Sequence, residues 1–136
     1  DLGTCVWEVF GDAILDPGAV VSRARWMKQL VSRVYSSAMF RLCDLTDHKT
    51  RTALKVDLSA LKHTDLDVPQ AWGLAIQKHP ENVDGFLYQS RFSGETCIVL
   101  FDRRGLAAKL KSTVVCDLVD LEEGNQFLDD NEIALV

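Results

Sequence analysis

The chain lacks most of the features that assign a protein to a class directly. No apolar run approaches the roughly eighteen residues of a membrane-spanning helix, so no membrane association is expected. Its four cysteines, Cys5, Cys43, Cys97 and Cys116, form no CxxC pair, and its three histidines, His48, His63 and His79, keep no ligand spacing. No metal motif is present. Because Cys43, Cys97 and Cys116 fall in apolar segments, the cysteines read as small buried hydrophobes in a reducing cytoplasm. A disulfide framework or zinc site is the weaker alternative. There is no GxGxxG loop and no alternating strand-helix-strand order, which excludes a Rossmann dinucleotide site. Positive charge is also short. Fifteen Lys and Arg face twenty Asp and Glu, a net charge of -5, which argues against direct binding along a nucleic-acid backbone. The first residues have no signal-peptide pattern.

What is present is ordinary for a globular chain: 136 residues, 47% hydrophobic and 26% charged. That length predicts one domain over 1–136 whose core needs no covalent staples. Leu2, Cys5, Val6, Val9 and Phe10 gather on one face at helical spacing, with Thr4 as a candidate cap and Glu8 at the flank of that face. Asp16-Pro17-Gly18 reads as a turn. Ala19 to Leu30 reads as a helix whose Arg23, Arg25 and Lys28 form a solvated face or, less commonly, a pyrophosphate clamp. Strands are predicted over Val31–Tyr35 and Met39–Leu45, and a helix over Thr50–Leu61. A second helix should be capped by Asp67, with Pro69 in its first turn, Ala71, Leu74 and Ala75 as its buried stripe, and Pro80 as its stop. A short helix over Gly105–Lys111 and strands over Val114–Leu121 and Ile133–Val136 complete the order. Helices followed by runs of strands predict an α+β fold with mixed or mainly antiparallel sheets and flanking helices. After Lys111 come seven acidic residues, Asp117, Asp120, Glu122, Glu123, Asp129, Asp130 and Glu132, and no Lys or Arg. This acidic region, 117–136, is either a solvated edge and tail or a docking surface for a basic partner.

The densest information lies in Asp84 to Arg103. Two strands joined at Ser93-Gly94-Glu95 are predicted, the second, Thr96 to Phe101, apolar enough to be covered on both sides. Alternation puts Phe86, Tyr88, Ser90 and Phe92 on one face and Leu87, Gln89 and Arg91 on the other. Ser90 is then a hydroxyl inside an aromatic row, satisfied by backbone or aimed into a polar cleft.

The segment Gly85-Phe-Leu-Tyr-Gln-Ser-Arg91 resembles the serine segment of the RES domain, a family of NAD-destroying bacterial toxins named for an Arg, a Glu and a Ser. Thr4-Cys-Val-Trp-Glu-Val-Phe-Gly-Asp12 resembles its glutamate segment, and Arg41–Asp47 and Pro69–Gly73 add to the resemblance in the same order along the chain. The family's Arg, with a Tyr often beside it, precedes the Glu. The resemblance therefore implies a domain without its N-terminal strand segment here. It also implies a fold similar to the ADP-ribosyltransferase toxins, with Glu8 and Ser90 as catalytic residues and NAD as substrate, not cofactor. Glu8 would meet the ribose hydroxyls and the developing positive charge, and Ser90 would orient the nicotinamide or its ribose. Arg91 would contact phosphate or form an ion pair, and Tyr88 would stack on the substrate or serve as a core aromatic. A helix-turn-helix (Xre-type) antitoxin is the implied partner, and a homo-oligomer is left open. Two other readings stand beside NAD hydrolysis: ADP-ribosyl transfer to a macromolecule, and a catalytically incomplete module that only binds a partner.

Overall fold

The computed structural model describes residues 1–15, 20–103 and 105–136. The expected turn at Asp16-Pro17-Gly18 lies outside the described residues. The elements in chain order are α1 (Leu2–Leu15), β1 (Val20–Val21), α2 (Arg23–Trp26), β2 (Leu30–Tyr35), β3 (Leu42–Asp44), α3 (His48–Leu54) and α4 (Leu58–Leu61). They continue with α5 (Asp67–Gln77), β4 (Gly85–Gln89), β5 (Thr96–Leu100), β6 (Lys111–Asp117), α6 (Glu122–Asp130) and β7 (Ala134–Leu135). Helices with small parallel and antiparallel sheets make the fold α+β, in agreement with the sequence reading. The chain divides into two compact units, Asp1–Tyr35 with Lys111–Val136, and Ser36–Leu110. Among the described residues no helix is long and apolar enough to cross a membrane.

In the first unit, Asp1 and not Thr4 caps α1. The Thr4 amide donates to Asp1 Oδ1 at 2.7 Å and its hydroxyl to Oδ2 at 3.2 Å, which leaves Thr4 buried in the first turn. The helix runs on to Leu15, and its seam is Val6, Phe10 and Ile14, four residues apart. Cys5 and Val9, expected on the buried face, are exposed because this seam winds past them. Val6, Phe10 and Ile14 pack with Val21, Trp26, Leu118, Leu128 and Ile133, and the Phe10 and Trp26 rings lie 5.4 Å apart.

The described part of the predicted Ala19–Leu30 helix is instead a strand, one helical turn and the start of another strand. The β-branched pair Val20-Val21 lies parallel to Ala134-Leu135, and Ser22 Oγ accepts the Arg25 amide at 3.4 Å to open α2. Arg25 does not present a free clamp: its Nη2 donates to the Val9 carbonyl at 2.9 Å, and its guanidinium lies 4.8 Å from the Phe10 ring centroid.

β2 and β6 form an antiparallel ribbon with an irregularity between Val31 and Ser32. The strand expected to reach Leu121 stops at Asp117, where Leu118–Asp120 turns as a 3-10 helix under α6. The acidic region therefore holds a helix that the charge pattern concealed. Gly124 admits it, since a Cβ there would stand 2.8 Å from the Leu118 carbonyl oxygen. All seven carboxylates stay exposed, and the expected last strand is present as β7.

The second unit centres on a three-stranded sheet in the order β3-β4-β5, parallel between β3 and β4 and antiparallel between β4 and β5. Leu45, Ile76 and Phe101 form its buried centre, with Cys43, Phe86 and Val99 packed against them. The predicted Thr50–Leu61 helix breaks at Lys55, which adopts φ 56°. Asp57 then restarts the chain as α4 by accepting the Ser59 amide at 3.1 Å. Asp67 is the first residue of α5 and makes no cap hydrogen bond. The helix also turns differently from its predicted stripe: Ile76 is buried, while Ala71, Leu74 and Ala75 are exposed. Ile76 sets this orientation by packing with Leu45 and Phe101, and Gly73 faces the Phe86 ring at an ordinary contact distance, 3.8 Å from a would-be Cβ. The predicted Met39–Leu45 strand is shortened to β3, and the Gly105–Lys111 helix to a 3-10 turn over Ala107–Lys109. β5 is an edge strand with Ile98 60% exposed, so it is not covered on both faces as its composition suggested.

Candidate functional site

The candidates begin at the end of β4. Phe86 and Tyr88 do share a face, with ring centroids 5.9 Å apart. The strand then ends at Gln89, earlier than alternation through Phe92 predicted. Ser90 opens the turn. Its amide donates to the Glu95 carbonyl at 2.8 Å, and its carbonyl accepts the Gly94 amide at 3.0 Å. Gly94 takes φ +76°, which favours glycine.

Ser90 is fully buried, and its Oγ accepts the amides of both Phe92 and Ser93 at 3.2 Å. The hydroxyl breaks the strand because it offers those two amides an acceptor the ladder does not. With both lone pairs engaged, Ser90 Oγ is a poor nucleophile, and only its O–H proton remains to be donated. Of the two alternatives weighed for this residue, satisfaction by backbone accounts for its acceptor side.

Arg91 follows in the turn, half-buried, with its guanidinium 4.5 Å from the Phe92 ring centroid. Strand alternation therefore no longer describes where Arg91 and Phe92 point. Tyr88 is half-buried beside the Phe86 ring. Tyr88, Ser90 and Arg91 are thus gathered at one end of β4 in the second unit, whereas Glu8 stands exposed on α1 of the first.

The second unit also contains a cleft of about 580 Å³ whose lining includes Cys43, Leu54, Trp72, Ile76 and Val83. Tyr88, Ser90 and Arg91 do not line it. Burial pushes the Cys43 thiol up, with the Asp44 carboxylate adding to the effect, so Cys43 is a protonated wall residue and not a ready nucleophile. Asp44 itself is held below the ordinary carboxylate range, chiefly by the Thr46 hydroxyl, which donates to it at 2.6 Å.

The sequence reading did not single out Arg103. Its Nη1 donates to the Gln77 carbonyl at 2.7 Å, while its Nε and Nη2 are buried with no hydrogen-bond partner among the described residues. The available signal was an arginine two residues beyond an aromatic at a strand end, and that pattern is too common to decide anything alone.

Taken together, these residues define an α+β chain with a serine-centred turn beside a small mixed sheet, and with an exposed glutamate on its first helix. The RES domain profile matches residues 1–119, and the chain belongs to that family. A curated relative, "Probable toxin y4kH" of Sinorhizobium fredii (strain NBRC 101917 / NGR234), is 31% identical over 84 residues, covering 61% of this chain and 65% of that protein. The aligned region thus spans a little under two thirds of the relative's length. No solved structure matches.

Proposed function

We propose that the chain acts as the toxin of a bacterial toxin–antitoxin system and hydrolyses NAD to nicotinamide and ADP-ribose. The observation that carries this reading is the RES domain match over residues 1–119, which spans both Glu8 and Ser90. A relative named as a probable toxin supports it. A fold similar to the ADP-ribosyltransferase toxins belongs to the same proposal.

The chemistry suits a sparse site. In NAD the leaving nicotinamide is a cationic pyridinium. When the bond from the ribose anomeric carbon to its nitrogen breaks, the electron pair goes to that nitrogen and nicotinamide leaves neutral. Water oxygen then bonds to the anomeric carbon, and its proton passes to solvent. No general acid is needed, unlike the protonated leaving groups of ordinary glycosides. The main task is to stabilise the oxocarbenium charge, and an ionised carboxylate does this.

Glu8 supplies that carboxylate and engages the ribose hydroxyls. Ser90 holds the Ser90–Glu95 turn through its two accepted hydrogen bonds, and its one remaining O–H, fully buried, orients the nicotinamide or its ribose only when that turn opens. Tyr88 supplies a stacking surface. Arg91 is the weaker candidate for phosphate because its guanidinium already lies over Phe92. The partner is a basic helix-turn-helix antitoxin, met in the cytoplasm by the exposed carboxylates of 117–132.

Nicotinamide release from NAD tests the reading. The wild type should release it, and Glu8→Gln should lower the rate roughly 10²–10³-fold, the usual loss for one electrostatic transition-state contact. Full activity in Glu8→Gln removes Glu8 from the site. Label from NAD appearing on a macromolecule, with little free ADP-ribose, replaces hydrolysis by ADP-ribosyl transfer.

A further inference from the structure

We propose that Arg103 is an oxyanion anchor whose open guanidinium edge holds a phosphate of the ligand. The guanidinium is fixed from two sides. Nη1 donates at 2.7 Å to the carbonyl of Gln77, the last residue of α5, where the helix presents its negative end. Its Cζ lies 5.1 Å from the centroid of the Phe101 ring, a cation–π distance. Phe101 is itself locked in the core with Ile76 and Leu45. These contacts leave Nε and Nη2, and both are buried without a partner among the described residues. In an arginine these two nitrogens carry parallel N–H bonds on one edge, the fork that takes two oxygens of a phosphate or carboxylate.

Arginine does not neutralise itself, so a buried and half-satisfied guanidinium is a standing cost unless an anion completes it. Because the edge is shielded from water, an anion reaches it only with a local opening. Once there, the anion pairs with a cation for which no water competes. Phosphate is the occupant we assign, and in this respect the inference rests on the NAD reading above: a dinucleotide brings two phosphates and no carboxylate. It also moves the phosphate contact from Arg91 to Arg103, whose fork has no partner among the described residues.

The test separates this inference from the reading it rests on. Nicotinamide riboside carries the reacting bond without phosphates. Arg103→Lys keeps the charge and loses the fork. It should raise KM for NAD roughly ten- to hundredfold, the worth of a charge-assisted contact, with kcat little changed and cleavage of the riboside unaltered. A folded Arg103→Lys with an unchanged KM for NAD overturns the proposal. If the wild type cleaves no NAD, or if the variant fails to fold, the Nε–H resonance of Arg103 in the wild-type protein decides. It should shift on titration with inorganic pyrophosphate. A resonance that does not move at millimolar pyrophosphate overturns the assignment, whatever the fate of the hydrolase reading.

Discussion

The two units hold their shapes by different means. The first buries eight apolar side chains in one cluster around Trp26 and Phe10, yet leaves its β2–β6 ribbon bare, with Leu30, Val34, Tyr35, Val114 and Val115 all more than half exposed. Among the described residues the second has a cluster of three buried apolar residues at its centre, with Val56 and Leu106 buried apart from it, and an open cleft beside the cluster. Side-chain oxygens make up for that thinner core: Asp47, Asp57 and Ser90 each accept backbone amides where a helix starts or a strand ends. The first unit uses such acceptors too, at Asp1 and Ser22, so the clearer difference is the size of the buried cluster. The difference bears on function. Glu8 stands exposed on the first unit, so its substitution should be read mainly in activity. Ser90 is a keystone of a turn in the second, so its substitution will be read in stability as well.

The comparison breaks most readily at its largest packed residue. Trp26→Ala should cost about 3–5 kcal/mol, with amide protection lost in Asp1–Tyr35 and Lys111–Val136 and largely kept in Ser36–Leu110. Uniform loss across both would show one cooperative core where two are described. Gly85→Ala should cost about 3 kcal/mol, the upper range for overpacking, because a Cβ there would overlap the Val99 carbonyl across the β4–β5 ladder. Here the protection should be lost from the second unit, and a thermal melt like that of the wild type would refute the register of that strand pair.

Ser90→Ala leaves the Phe92 and Ser93 amides without their acceptor, at about 1–3 kcal/mol. Denaturant titration checks this, and a variant of unchanged midpoint would deny the serine its structural role.

The smallest effect concerns acid. Asp44, Asp47 and Asp57 are held below the ordinary carboxylate range, first by hydrogen bonds from Thr46, from the Thr50 amide and from the Ser59 amide respectively. A lowered folded pKa contributes stability that is present above the unfolded value, near ~3.9, and is lost as pH falls through the lowered one. Amide signals of the second unit should therefore weaken below about pH 4. Asp47→Asn should flatten only part of that loss, since Asp47 is exposed and well screened.

Legibility from sequence followed the range of the forces involved. The α1 periodicity, the β2 strand and the final strand were readable because apolar spacing and β-branching act locally. The Ala19–Leu30 helix was misread because the parallel pairing of Val20-Val21 comes from residues more than a hundred positions away. The α6 helix was missed because five acidic side chains between Glu122 and Glu132 masked an apolar side made by Phe127 and Leu128. The rotation of α5 was hidden because it depends on Ile76 packing with Leu45 and Phe101, residues outside the helix.

The candidate site divides in the same way. Glu8 and Ser90 were singled out by the segments that resemble the RES domain, Glu8 being by position alone an ordinary residue at the flank of a helix face, and the α+β class followed from the order of elements. Composition alone set the net charge of -5, and residue spacing left no metal or Rossmann motif. Only the tertiary structure showed that Ser90 spends both lone pairs on its own turn and that Arg103 keeps its fork unpaired among the described residues. The physical reason is that propensity and periodicity act between near neighbours. Hydrogen-bond satisfaction is settled by whatever the folded chain brings within 3 Å or so of each polar atom.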